Sequence, residues 1–170
     1  MGDPCGKTYL RNAANDAWIS MAVGSGTGGG GGATATYVSL TMSANQTTGI
    51  ADTNPIKFDT STGTITYDTG TYRATLSAGV TYELSGAAMT EFSGAGGYTY
   101  LIWYDVTNSA QLGTKGISCP FNYAWAISNQ PNFFAVVTPL TDIVVEARLD
   151  TPTLLTTIHK NYTFARIRSI

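Results

Sequence analysis

Residues 70 to 84 read Gly70-Thr71-Tyr72-Arg73-Ala74-Thr75-Leu76-Ser77-Ala78-Gly79-Val80-Thr81-Tyr82-Glu83-Leu84. Two short alternating segments flank a tight Ser77-Ala78-Gly79 corner. Past the corner, Val80, Tyr82 and Leu84 point to one face, and Thr81 and Glu83 to the other. A period of 2 specifies half-buried strand and not helix. The alternation recurs on both sides. Val38, Leu40 and Met42 alternate with Ser39 and Thr41; Ile56 and Phe58 follow Pro55; Thr64-Ile65-Thr66-Tyr67 reads as another short strand. Residues 98–105 are apolar on both faces in their middle, as a central strand is. Residues 113–118, 133–137, 143–149 and 162–170 add four more strands, with Thr138-Pro139-Leu140-Thr141-Asp142 as a corner. Short strands with turn residues between them and no helical stripe predict an all-β sandwich or barrel.

Composition agrees. The chain has 170 residues, of which 43% are hydrophobic and only 12% charged. That is length and apolar content for one domain with a real core plus a short extension. The charged share is half the usual ~25%, and Thr, Gly and Tyr fill the gap. Thr and Tyr favour pleated sheet, Gly and Asn the turns between strands. With a net charge of −2 the basic footprint of a nucleic-acid binder is missing. A surface so poor in charge must limit self-association by other means, of which burial between subunits is one. No run of 18 apolar residues is present, so no membrane span is expected. Met1-Gly2-Asp3-Pro4 has neither the basic nor the apolar region of a signal peptide, so synthesis in a cytoplasm is expected. The sequons at Asn45 and Asn161 then carry no glycan. Cys5 and Cys119 lie in different regions without metal-ligand neighbours, which argues against a bridge between them.

Three segments follow along the chain. In residues 1–23, Tyr9-Leu10-Arg11 and Ala17-Trp18-Ile19-Ser20-Met21 read as two strands around the turn-rich Asn12–Asp16 stretch, a hairpin that needs a surface to pack on. Residues 24–36 form a glycine-rich linker; its nine residues from Gly24 to Gly32 have a random-coil span of roughly 17 Å. The main domain covers 37–170.

Motifs for chemistry are weak. Gly24-Ser25-Gly26-Thr27-Gly28-Gly29 matches G-x-G-x-x-G, but more glycine and then Ala33-Thr34-Ala35-Thr36 stand where the dinucleotide motif needs a helix. Gly6-Lys7-Thr8 resembles the end of a phosphate loop, yet Met1 occupies the place of its first glycine. His159, the one histidine, falls in Thr156-Thr157-Ile158-His159-Lys160-Asn161, read as a solvated loop with no nucleophile elbow anywhere. Glu83, Glu91, Glu146, Asp105 and Asp142 are single carboxylates, with no specified pair facing across a cleft. No cofactor or metal is expected, and the chain reads as a non-enzyme. Glu146 and Arg148 share a strand face, read as ordinary exposed surface in preference to an inter-subunit salt bridge; Arg166 and Arg168 repeat the spacing.

Ala78-Gly79-Val80-Thr81-Tyr82, with its flanking strands, resembles the x-x-Gly-Val-x-Tyr signature of the TNF-like jelly roll shared by complement and tumour-necrosis-factor proteins and by phage fibre and capsid-surface proteins. Asn45-Gln46-Thr47 before Asn54-Pro55-Ile56-Lys57-Phe58-Asp59 resembles the first-strand exit of the complement-type fold. Gln130-Pro131-Asn132-Phe133-Phe134-Ala135-Val136-Val137-Thr138-Pro139 followed by Ile143-Val144-Val145-Glu146-Ala147-Arg148-Leu149 resembles the last strand pairs of phage-type members. The Arg11-Asn12-Ala13-Ala14-Asn15 hairpin is similar to short hairpins near the ends of phage fibre proteins. The glycine run has no Gly-X-Y period, so a collagen stalk is excluded.

The resemblance implies a TNF-like jelly-roll β-sandwich that assembles as a homotrimer. It implies a non-enzymatic phage virion protein, a capsid decoration or cement protein on the particle surface, with the major capsid protein as partner. Residues Tyr9, Leu10, Arg11, Trp18 and Ile19 would then attach to the capsid. The alternative is the head of a tail or head fibre that binds a host surface glycan. The aromatics Tyr98, Tyr100, Tyr104, Phe121, Tyr123 and Trp125 serve either reading. On an exposed face they stack on sugars or anchor an interface; the preferred expectation is that they fill the sandwich core or a three-fold axis.

Overall fold

The structure is a computed structural model giving the backbone of residues 8–11, 18–21 and 126–127 and all atoms of residues 35–94, 96–119 and 132–170. The chain divides into two compact units, Met1–Thr34 and Ala35–Ile170. In the first, β1 (Thr8–Arg11) and β2 (Trp18–Met21) pair antiparallel, with Leu10 opposite Ile19 and Arg11 opposite Trp18.

The second unit is all-β and, among the described residues, has no helix. Its strands are β3 (Tyr37–Thr41), β4 (Thr60–Gly63), β5 (Tyr67–Asp68), β6 (Arg73–Leu76), β7 (Tyr82–Phe92), β8 (Tyr98–Asp105), β9 (Ala110–Ser118), β10 (Ala126–Ile127), β11 (Asn132–Val137), β12 (Ile143–Thr153) and β13 (Leu155–Ser169). All pairings are antiparallel. One layer runs β4-β3-β13-β7-β11, with β10 on the far end of β7, and the other β9-β8-β12-β6-β5. Among the described residues, the strand ladders of the two layers are linked where Phe134 of β11 pairs with Thr114 of β9. The order is that of a jelly-roll β-sandwich, in which consecutive strands switch layers at corners.

The core lies between the inner faces. Val38, Leu40, Leu84, Phe133, Ala135, Ala165 and Ile167 come from the first layer; Leu76, Leu101, Trp103, Val145, Ala147 and Leu149 come from the second. Trp103 and Phe133 meet across the gap at 5.5 Å between ring centroids. Ile56 and Phe58, on the long connection from β3 to β4, plug one side. Tyr82 and Leu84 face inward while Thr81 and Glu83 do not, as the period of 2 requires.

Several boundaries differ from the sequence reading: β9 begins at Ala110 and not 113, β12 runs to Thr153 and not 149, and two further differences mark where the chain changes layer. The strand expected at 64–67 is replaced by β4 at Thr60–Gly63 and by β5, which begins only at Tyr67. Thr64 and Ile65 both donate their backbone N–H groups to the Tyr37 carbonyl, at 2.7 and 3.1 Å. There the chain leaves one layer for the other, so local alternation does not become a strand. The last strand begins at Leu155, not 162. A single residue, Leu154 at φ 57°, turns the chain from β12 into β13, and Thr157, Ile158 and His159 pair with Glu91, Thr90 and Met89.

Candidate interaction surfaces

The outer face of the first layer carries an apolar set. On β7 the outward positions are Glu83, Ser85 and Ala87. Register places Phe134 and Arg166 beside Ser85, Asn132 and Phe164 beside Ala87, and Val136 and Arg168 beside Glu83. Phe134, Val136 and Phe164 are 41%, 54% and 49% exposed. Phe134 and Phe164 therefore rise on either side of a floor of small residues. Two of the charges on this face pair within the chain. Arg168 donates to Glu83 at 2.8 Å; that hydrogen bond holds the Glu83 carboxyl below the usual carboxylate range and raises Arg168. The Arg166 guanidinium lies 5.7 Å from the Tyr37 ring centre.

The outer face of the second layer is different. Tyr98, Tyr100, Ile102 and Tyr104 alternate outward along β8, with Asp150, Arg148 and Glu146 of β12 opposite Tyr100, Ile102 and Tyr104. The Tyr98 and Tyr100 rings meet edge to face at 5.9 Å. The Lys115 ammonium lies 5.1 Å from the Tyr100 ring centre and pairs with Asp150, whose carboxyl it holds below the usual range. Arg148 covers Tyr104 at 3.6 Å. Glu146 is 1% exposed yet charged groups satisfy both its oxygens: Arg73 Nε donates at 2.9 Å to one, Arg148 Nε at 2.8 Å to the other. A carboxylate can be buried on these terms because it is paired and fully hydrogen-bonded.

Several expectations need correcting. Of the two places expected for them, Tyr98, Tyr100 and Tyr104 do not take the sandwich core: they are half-buried on its outer face, because Thr99, Leu101 and Trp103 occupy the inward positions of β8, which leaves the three-fold axis. Glu146 and Arg148 are not an exposed face; Glu146 is buried and bonded within one chain to Arg148 and to the more exposed Arg73. His159 belongs to β13, not a loop, with Nε2 3.2 Å from Glu91 Oε2. Phe121, Tyr123 and Trp125 lie outside the described residues. Tyr9, Leu10 and Arg11 fall on β1, Trp18 and Ile19 on β2, where the backbone alone is described. Cys119 is exposed with a free thiol. Sequence reasoning missed Phe134, Val136 and Phe164. The available signal was parity: Phe164 is apolar at the position opposite to buried Ala165 and Ile167, and Phe134 and Val136 likewise to Phe133 and Ala135. Among the described residues no cluster of three metal-ligating side chains occurs, and no helix is long and apolar enough to cross a membrane.

The architecture is that of the TNF and complement-type jelly roll. The TNF protein Eiger from S. frugiperda superposes with a TM-score of 0.56 at 7% identity, over 80% of this chain and 91% of that one. Murine APRIL gives 0.51 at 9%, covering 80% and 99%. The globular domain of zebrafish complement 1qA protein gives 0.50 at 18%, covering 80% and 94%. At these identities the likeness defines the fold alone. No protein-family model and no curated protein matches the chain.

Proposed function

We propose that this chain is a non-enzymatic, homotrimeric surface protein of a phage virion, a decoration or cement protein bound to the major capsid protein. The observation that carries assembly is the exposed Phe134, Val136 and Phe164 set on the outer face of the first layer. Such a patch in a chain with only 12% charged residues is stabilised by burial against another copy. A closed cyclic assembly satisfies every copy of a repeated patch, and a three-fold ring is the arrangement the TNF-like resemblance implies. The virion assignment rests on the phage-type strand pairs at 130–149 and on the N-terminal hairpin, whose residues Tyr9, Leu10, Arg11, Trp18 and Ile19 are the proposed capsid contacts. Synthesis in the host cytoplasm and display on the particle surface go with it.

The second reading is a receptor-binding fibre head. The outward Tyr98, Tyr100 and Tyr104 on the second layer favour it, because aromatics on an exposed sheet face stack on sugars. Light scattering of the purified chain tests assembly: a mass three times the 17.9 kDa of one chain supports the trimer, and a monomer at micromolar concentration removes it. Binding to particles lacking the protein, against binding to host cells, then separates cement from fibre head.

A further inference from the structure

The connection from β3 to β4 folds back on itself and, with the turn before β6, walls a cavity of about 190 Å3. Its walls include Asn45, Thr47, Lys57, Asp59 and Tyr72. The floor is fixed by Gln46, which is 4% exposed. Gln46 Nε2 donates to the Pro55 and Gly49 carbonyls at 3.3 and 3.4 Å, and Oε1 accepts the Lys57 backbone N–H at 3.0 Å. Asp59 accepts the Ser43 backbone N–H at 2.7 Å and the Ser43 hydroxyl. These bonds hold its carboxyl below the usual range, so it is ionised and supplied with donors. Lys57 differs: among the described residues its ammonium has no ion-pair or hydrogen-bond partner. A Cβ on Gly49 would stand 3.0 Å from Lys57 Nζ, at a φ of +68° that L side chains rarely adopt, so glycine leaves the room the ammonium occupies. Tyr72 holds φ at +62°, a conformation that costs a bulky residue and persists only where the surroundings impose it. Its N–H donates to the Asp68 carbonyl at 2.7 Å, and the Asp68 side chain ties down Gly70 and Thr71.

We propose that this cavity binds a single acidic pyranose, a hexuronate or equivalent carboxylated sugar. The sugar carboxylate meets the Lys57 ammonium, the ring lies against Tyr72, and hydroxyls reach Asp59, Thr47 and the Asn45 amide nitrogen. The cavity is smaller than those that hold drug-sized ligands and is of the order of one sugar ring. Its groups both accept and donate, as hydroxyls require, since the Asn45 carbonyl is taken by the Lys160 N–H at 3.0 Å and its NH2 group is left to donate. Asp59, an ionised carboxylate in the same wall, repels an inorganic dianion more than a singly charged sugar carboxylate, and it accepts from the several hydroxyls that the sugar carries and phosphate dianion does not. The inference rests on the glycan-binding reading, and every group in it comes from one protomer, so it is tested without virion or cell.

The experiment is an amide-shift NMR titration of the full chain with methyl β-D-glucuronide, methyl β-D-glucoside and inorganic phosphate, on the native protein, Lys57→Met and Tyr72→Gly. The expected result is saturable millimolar binding of the glucuronide, with shifts at residues 45–49, 57–59 and 72. Affinity falls by about tenfold for the glucoside and for Lys57→Met, the loss of one charge-assisted contact. Tyr72→Gly relieves the strained φ, so it raises the urea midpoint while weakening binding; a residue with a purely structural role would not separate the two. Unchanged glucuronide affinity in Lys57→Met, phosphate binding equal to the glucuronide, shifts confined to other regions, or no saturation overturns the proposal. Saturable glucuronide binding with shifts confined to the β8 face around Tyr98, Tyr100 and Tyr104, unchanged in Lys57→Met, would remove the pocket and leave glycan binding by that face standing.

Discussion

Glu146 is buried on the outside of a sheet, which works only because two arginines close over it. Glu146→Ala leaves Arg73 and Arg148 facing each other without their anion. Breaking a buried ion pair by removing one partner costs about 3 kcal/mol or more, so the urea midpoint should fall steeply while Glu83→Gln, on the exposed Arg168 pair, moves it far less. Gly113 makes a second point at this scale. Its φ is +65° and an added Cβ would lie 2.0 Å from the Phe134 carbonyl oxygen, where β9 meets β11. Gly113→Ala should destabilise by about 2 kcal/mol through overlap and strain, read as a loss of melting temperature. Neither residue announced its role in the sequence. Glu146 and Arg148 were legible as neighbours on one face, but Arg73 lies 73 residues away from Glu146, and its arrival depends on β6 pairing with β12.

Strands show where local pattern suffices. The bounds of β8 are those the sequence reading set, because eight alternating or central residues lie between clear turns. The strand read at 64–67 does not form at its start because the Tyr37 carbonyl of β3 takes the Thr64 and Ile65 N–H groups, and β13 reads short in the sequence because its bulge between His159 and Phe164 interrupts the alternation. Carboxylates that tie elements together set the acid response. Asp59, Glu83 and Asp150 all have carboxyls held below their usual range by hydrogen bonds from Ser43, Arg168 and Lys115. A depressed folded value means the stabilisation is complete above the unfolded value and is lost as pH falls through the folded one. The urea midpoint should therefore stay level from neutral pH down to about 5 and drop below about 4. Asp150→Asn should remove part of that acid drop, because it releases the Lys115 bond joining β9 to β12. A midpoint that rises on acidification would contradict these assignments.

At the scale of the whole molecule, the two outer faces differ in chemistry, the first carrying exposed apolar side chains and the second tyrosines under paired charges. Replacing both Phe134 and Phe164 with Glu should convert a trimer to monomers by light scattering while the β-sheet circular dichroism persists, since neither side chain belongs to the inner core. Phe133→Ala, one residue from Phe134 but packed on Trp103, should instead cost about 3–5 kcal/mol of fold stability. On the proposed assembly, variants of these adjacent phenylalanines should separate loss of assembly from loss of folding. By itself, the sequence determined that the chain is all-β, a sandwich or barrel, where most strands run and, for cleanly alternating strands such as β3 and the start of β7, which parity faces the core. Those properties follow from a period of 2 and from turn residues, which act over a few positions. Only the tertiary structure decided that the tyrosines of β8 look outward, that two arginines enclose Glu146, and that Lys57 and Tyr72 share a cavity. Each depends on backbone pairing or loop packing between residues far apart in the chain, and hydrogen bonds of that range leave no local mark on the residues they join.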